Sequence, residues 1–193
     1  WGPMEPFDVA LPDCLKAAGV YSHLITDHYH YFEDGGAGYH TRYNSFEFVR
    51  GQEGDGWKAV VAPPIAEWRE AFQPRQFNDR PGSIAYHYMA NRTYIRDEGD
   101  FPSVRCFDLA EEFLDANHGA DNWFLQVETF DPHEPFYAPA RLRERFPTAY
   151  QGPIADWPPY DRVTEPADQQ DEFRANYMAL LSLCDEQLGR ILD

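Results

Sequence analysis

Residues 122–136 read Asn-Trp-Phe-Leu-Gln-Val-Glu-Thr-Phe-Asp-Pro-His-Glu-Pro-Phe. The apolar run at the start of this segment, with its aromatic and β-branched members, is typical of a buried strand. Pro132 and Pro135 stop that strand, so Asp131 and His133 are predicted on a stiff turn past its carboxyl end. Ligands of open α/β sheets bind at this edge. The pattern alone leaves open whether His133 binds a ligand or is an ordinary loop histidine.

An earlier part of the chain repeats this arrangement. Residues Leu11 to Ala18 are predicted as a helix, Gly19 ends it, and Val20 to Thr26 are predicted as a strand. Helix, glycine and strand in succession indicate an α/β fold. The strand runs directly into Asp27-His28-Tyr29-His30. If the backbone stays extended there, the two histidines project to the same side, because strand side chains repeat every two residues.

The two strands, Val20–Thr26 and Trp123–Thr129, are predicted to be parallel members of one sheet with helices on both faces, because helices and strands alternate along the chain. Parallel strands bring their carboxyl ends to one edge. We therefore expect His30 and His133 to lie close together there and to face a shared cleft, with His28 in the cleft or at its rim.

The rest of the chain is less regular. Residues 52–103 carry many prolines, glycines and charges, and we interpret them as an irregular insertion packed on the core. The other predicted elements are a short strand around 46–49, helical turns at 65–72 and 84–90, a helix at 108–117, a short helix at 140–146 and a long helix from near 168 to 193. The apolar face predicted for the long helix comprises Phe173, Tyr177, Leu180, Leu181, Cys184, Leu188 and Ile191.

Composition narrows the range of partners. The chain has 193 residues, of which 43% are hydrophobic and 25% charged, which is typical of a globular domain. Its formal net charge of −17 would repel nucleic acid and anionic membranes, so we expect neither as a partner. The sequence has no apolar run of about 18 residues that could span a membrane. Its three cysteines lack metal-ligand spacing.

Four motifs, in their order and intervals, match one known family. Asp27-His28-Tyr29-His30 stands where most sulfatases read Gly-Lys-Trp-His, and the segment beginning Tyr43-Asn-Ser-Phe-Glu-Phe is like their Gly-Phe-Asp-x-Phe. Residues 124–136 are similar to Phe-Phe-Leu-x-x-x-Phe-x-x-Pro-His-x-Pro. The last helix, with Cys184-Asp-Glu-Gln-Leu-Gly, resembles the family helix that precedes a metal-binding strand. The chain thus resembles the middle of a type I sulfatase of the alkaline-phosphatase-like superfamily.

This resemblance implies a three-layer α/β fold with a mostly parallel sheet, and hydrolysis of small-molecule sulfate esters. It implies that His30 and His133 contact the sulfate and that one of them helps to protonate the leaving oxygen. Histidine suits both tasks near neutral pH. The resemblance also places His28, Asp27 and Asp131 near the substrate. It implies a divalent metal in the full-length enzyme, with calcium expected and manganese or magnesium as alternatives.

The sequence also departs from the family pattern. In the family a lysine stands two residues before the first histidine. When the sequences are aligned without a gap this lysine corresponds to His28, and with a one-residue gap it corresponds to Asp27. Cys-x-Pro-Ser-Arg and Ser-x-Pro-Ser-Arg do not occur, and neither set of metal carboxylates is found. We therefore expect residues 1–193 to be one partial sulfatase-like domain that holds no metal and is inactive alone. We expect a cytoplasmic location. The given sequence shows no secretion signal, but in a partial domain this does not argue against secretion. The oligomeric state is left open.

Three other functions fit the same residues. The first is hydrolysis of phosphate or phosphonate esters by another branch of the superfamily. The second is a binding module that keeps the fold without the chemistry. The third is an unrelated metal-dependent hydrolase that uses His28, His30 and His133. The sequence spacing supports only two of these as ligands, His28 and His30, whereas a metal site needs three or four.

Overall fold

A computed structural model of the chain describes residues 2–36 and 38–192. These form two compact units, Trp1–Gln52 with Pro102–Phe130 and Glu53–Phe101 with Asp131–Asp193, and each is described by itself. The predicted end of the last helix, Asp193, lies outside the described residues. The strands are β1 (Tyr21–Thr26), β2 (Ser45–Phe48) and β3 (Trp123–Glu128). The helices are α1 (Leu11–Ala17), α2 (Ile65–Ala71), α3 (Ile84–Arg92), α4 (Pro102–Asn117), α5 (Ala140–Arg143) and α6 (Ala167–Leu192).

The first unit is built on a parallel sheet with the strand order β2-β1-β3. Tyr21 pairs with Trp123 at one end of the β1–β3 register and Thr26 pairs with Glu128 at the other. The prediction that the strands around residues 20–26 and 123–129 are parallel members of one sheet is therefore confirmed. The carboxyl ends of β1 and β3 lie side by side.

Helices cover both faces of β1. The His23 ring stacks on Phe113 of α4, with ring centroids 5.2 Å apart. Leu24, the next residue, lines a cavity together with Pro12 of α1. Successive strand side chains point to opposite faces, so α4 and α1 lie on opposite sides of the sheet. This explains the continuous burial of Ser22–Thr26, since a parallel strand covered on both sides has no solvent-facing positions.

The second unit contains most of the predicted insertion, which is more ordered than we expected. Its two predicted helical segments are present as α2 and α3. These helices share one buried core, which shows that the prolines and glycines interrupt a packed region. The members of that core are Trp68, Phe72, Tyr86, Tyr88, Met89 and Ala90.

The predicted core face of α6 is only partly correct. Phe173 and Leu180 are buried as expected, whereas Tyr177, Leu181 and Leu188 are exposed. The buried side of the helix instead includes Ala175, Asn176, Ala179, Leu183 and Gln187. Within the described residues, the structure contains no helix that is both long enough and apolar enough to cross a membrane.

Candidate functional site

The first part of the site lies where β1 and β3 end. Asp27 follows β1 directly and is fully buried. Its Oδ1 accepts a hydrogen bond of 2.7 Å from the backbone N–H of Phe130, just past β3. The Thr26 hydroxyl oxygen accepts from the backbone N–H of His28 at 3.0 Å. These two bonds fix the directions in which the chain leaves both strands, and so set the position of the His28 ring.

Glu128, the last residue of β3, is the centre of a polar network. Its carboxylate lies 2.9 Å from Nδ1 of His28 and accepts from the Tyr31 hydroxyl at 2.7 Å. The Gln126 amide donates to the same carboxylate at 3.2 Å and in turn accepts from the Tyr43 hydroxyl at 2.5 Å. We did not predict a role for Glu128 from the sequence. The available signal was an acidic residue closing an otherwise apolar strand.

This network changes the acidity of its members. Burial by itself would raise the pKa of Glu128, but the hydrogen bonds from His28 and Tyr31 outweigh it and hold that pKa below its usual value. Burial and then the neighbouring Glu128 raise the pKa of Tyr31 well above its ordinary range. Tyr43 shifts in the same direction for the same two reasons. Glu128 is therefore a carboxylate at neutral pH and Tyr31 a neutral hydrogen-bond donor.

His30 lies next to this network but not on an extended strand. Residues Tyr29–Phe32 form a turn of 3-10 helix, so the argument from strand alternation does not apply. The rings of His28 and His30 nevertheless lie close, with centroids 5.3 Å apart. Nδ1 of His30 is 2.7 Å from a carboxylate oxygen of Glu33. The two rings are therefore brought together by this turn and not by the extended backbone that the prediction assumed.

His133 lies in the second unit, in the predicted turn between Pro132 and Pro135, and is exposed. Its Nδ1 is 2.8 Å from the backbone carbonyl oxygen of Glu134. Asp131 begins the same turn and is half-buried. His30 and His133 belong to different units, so their convergence on a shared cleft stays a prediction. The substrate-binding roles of Asp27, His28 and Asp131 stay predictions as well.

The three histidines share one feature. In each ring Nδ1 faces an oxygen that accepts, namely a carboxylate for His28 and His30 and a carbonyl for His133. A carbonyl or carboxylate oxygen can only accept, so the proton is assigned to Nδ1. The second nitrogen, Nε2, can accept a hydrogen bond when such a ring is neutral and donate one when it is protonated.

Comparison with known families adds an independent finding. The family model described as Sulfatase matches residues 3–193. The chain belongs to the sulfatase family. A search of curated proteins gave no match. The matched range includes both histidine-bearing turns and the network around Glu128. It confirms the sequence-based resemblance and the expected α/β fold.

Sulfatases generally use a divalent metal, so we tested whether this chain offers ligands for one. Among residues 2–36 and 38–192, no group of three or more His, Cys, Asp or Glu side chains is arranged to hold a metal ion. The described residues of this sulfatase-family chain therefore do not provide a set of ligands for a metal ion.

Proposed function

We propose that this chain supplies the sulfate-binding and proton-donating histidines of a sulfate-ester hydrolase, acting in the full-length protein. The observation that carries the proposal is the sulfatase-family match over residues 3–193. Further support comes from the three imidazoles whose Nδ1 atoms face accepting oxygens. In His30 and His133, the two residues proposed to contact the sulfate, the contact at Nδ1 leaves Nε2 as the nitrogen proposed to meet an anionic oxygen.

The proposed chemistry assigns separate tasks to these residues. His30 and His133 bind the sulfate oxygens through Nε2, and one of them gives its proton to the ester oxygen as the S–O bond breaks. An alkoxide is a poor leaving group, so the proton lowers the barrier at that step. Hydrogen bonds to the sulfate strengthen as negative charge builds up in the transition state. Asp27, His28 and Asp131 line the substrate site.

Electrostatics explain why histidines are needed here. A formal charge of −17 repels an anionic sulfate ester, so binding depends on a local positive charge. The Glu128 carboxylate lies 2.9 Å from Nδ1 of His28 and so holds the imidazole in one orientation. In this proposal the positive charge comes from the histidine that gives its proton to the ester oxygen, and the network around Glu128 orders the edge of the sheet beside it.

The remaining parts of the proposal concern the full-length protein. Its substrate is a small-molecule sulfate ester, and neither nucleic acid nor a membrane is a partner. The expected metal is calcium, with manganese or magnesium as alternatives, and no step described here passes through it. The proposed location is the cytoplasm.

The assay that tests this function compares p-nitrophenyl sulfate with p-nitrophenyl phosphate, each with and without calcium or manganese. The full-length protein should hydrolyse the sulfate ester faster, while the 193-residue chain alone should give no turnover of either. A preference for the phosphate ester would favour a phosphatase of the same superfamily. Turnover that tracks the purified 193-residue chain would contradict the view that this chain is only part of the catalytic machinery.

A further inference from the structure

A second constellation of reactive side chains lies on the face of the sheet that α4 covers. The hydroxyl oxygen of Ser45 on β2 is 2.6 Å from Nδ1 of His23 on β1. On the other side of the imidazole, Nε2 lies 3.5 Å from a carboxylate oxygen of Glu47. The Tyr21 hydroxyl donates to Ser45 Oγ at 2.9 Å. These four side chains belong to none of the groups described above.

The sheet register produces this arrangement directly. In the parallel pairing of β1 with β2, His23 lies beside Ser45 and Ile25 beside Glu47. Residues two apart on a strand share a face, so Ser45 and Glu47 flank the imidazole from the neighbouring strand. His23 is buried, with 7% of the residue exposed, and its ring lies parallel to the ring of Phe113. Its orientation is therefore fixed from three sides.

We propose that Ser45, His23, Glu47 and Tyr21 form a second hydrolytic site, in which Ser45 is a nucleophile towards small carboxylic esters. A hydroxyl within hydrogen-bond reach of an imidazole that a carboxylate orients is the general pattern of an activated serine. The Ser45 proton points to Nδ1, which leaves the Nε2 proton facing Glu47. Tyr21 is the hydrogen-bond donor for the oxyanion.

The reaction proceeds in two balanced halves. Ser45 Oγ attacks the carbonyl carbon while its proton passes to His23 Nδ1, and the carbonyl electron pair moves to the oxygen, which receives the Tyr21 hydrogen bond. The C–O bond to the alcohol then breaks, and the alcohol takes the proton from Nδ1. Water repeats the same steps on the acyl-serine and releases the carboxylic acid. Glu47 is a positioning residue that stabilises the imidazolium in both halves.

The groove beside these residues limits the substrate. Its volume is about 270 Å³, and Leu109, Phe113 and Ala116 of α4 supply apolar walls. This volume lies just below the range typical of small-molecule sites, so the groove suits a short acyl chain. Glu112 and Glu47 also line it. Their charges disfavour anionic substrates and favour neutral or cationic esters. The substrate preference of this site therefore differs from that of a site for sulfate esters.

Labelling with an alkyl fluorophosphonate, followed by peptide mass spectrometry, tests the nucleophile. In the purified protein we expect the label on Ser45, with loss of fluoride and of the serine proton. His23→Gln should slow that labelling at least about tenfold, because the base is lost. Ser182→Ala is the matched control, since Ser182 donates to the Met178 carbonyl on α6 and has no role in the proposed site. No label on Ser45, or an unchanged rate in His23→Gln, would overturn the proposal.

Hydrolysis of p-nitrophenyl acetate tests the other two roles in variants whose circular dichroism and melting temperature match the parent. Tyr21→Phe should lower kcat about tenfold, less than at a fully buried oxyanion site because Tyr21 is half exposed. Glu47→Gln should lower kcat with little change in KM, and Glu47→Asp should recover part of the loss. Equal kcat in all variants would mean that these side chains only hold β2 against β1. In the full-length protein Ser45→Ala should leave p-nitrophenyl sulfate turnover unchanged, so this test and that of the sulfatase function fail separately.

Discussion

The two units each contain a carboxylate that accepts from a tyrosine, a glutamine and a basic side chain. In the first unit Glu128 accepts from Tyr31 and Gln126 and contacts His28. In the second unit Asp156 accepts from its three partners Tyr88, Gln76 and Arg92. The hydrogen-bond pattern is the same, but the basic group differs. A guanidinium keeps its charge at all physiological pH values, whereas an imidazole gains and loses a proton there.

The two carboxylates also differ in burial, and Asp156 is the more buried of the two. The Asp156 side chain is 3% exposed, and the Arg92 guanidinium lies over the Tyr137 ring at 3.7 Å within the second unit. Burial alone would lower the pKa of Arg92, but Tyr88 and Asp156 raise it above its usual value. The Glu128 side chain is 26% exposed. The buried Asp156 network is therefore suited to holding the fold, whereas we propose that the more exposed Glu128 network serves the ligand site.

The largest expected effect on stability comes from breaking the Asp156 network. Asp156→Ala leaves Arg92 buried without its carboxylate, and we expect the free energy of unfolding to fall by about 3–5 kcal/mol. Urea denaturation followed by circular dichroism measures this loss. Replacing both residues, with Asp156→Leu and Arg92→Met, should recover much of it because no charge is then left unpaired. A loss below about 1 kcal/mol for the single variant would show that Asp156 is not a structural centre.

Glu128→Gln should have a smaller effect that depends on pH. Because the pKa of Glu128 in the folded protein lies below its ordinary value of 4.5, the carboxylate contributes stability above pH 4.5. That contribution is lost as the pH falls through the lower folded value. We expect Glu128→Gln to cost about 1–2 kcal/mol at pH 7, as for a partly exposed charged hydrogen bond. Denaturation at pH 7 and pH 4 should show the gap between parent and variant narrowing in acid, and a gap that widens would contradict the assignment.

The two tyrosines give the most closely matched test, and the difference between their two variants is the smallest effect expected here. Tyr88→Phe removes a hydrogen bond to a buried carboxylate and should cost about 2 kcal/mol, whereas Tyr31→Phe removes one to a partly exposed carboxylate and should cost about 1 kcal/mol. Thermal denaturation of both variants under one condition measures the difference. A larger loss for Tyr31→Phe would reverse the order of burial on which the comparison rests.

Strands and helices could be predicted from the sequence more accurately than contacts between residues far apart along the chain. The strands at 20–26 and 123–129 were predicted almost to the residue because buried parallel strands are short apolar runs bounded by glycine and proline. Glu128 was missed because its partner His28 is 100 residues away along the chain. No local periodicity encodes that contact. The same reason explains why the pairing of His23 with Ser45 was not foreseen.

The error on α6 has a similar cause. A helical wheel places apolar residues inside, but Asn176 is buried because its amide donates to the Ala155 carbonyl at 2.8 Å and its oxygen accepts from Arg143 at 2.6 Å. Burying a polar side chain is tolerated when its hydrogen bonds are satisfied. Such partners come from distant parts of the chain. The presence of the helix could therefore be predicted more reliably than which of its residues are buried.

The most direct test of the central claim is the kinetics of His133→Ala in the full-length protein with p-nitrophenyl sulfate. We expect kcat to fall by about two to three powers of ten, as for the loss of a transition-state hydrogen bond. Folding should change little, since His133 is exposed and its turn is bounded by Pro132 and Pro135. The control is His118→Ala, an exposed histidine after α4 whose Nδ1 also contacts a backbone carbonyl, that of Asp115. Unchanged kinetics in His133→Ala, or an equal loss in His118→Ala, would contradict the assignment of His133 to the sulfate site.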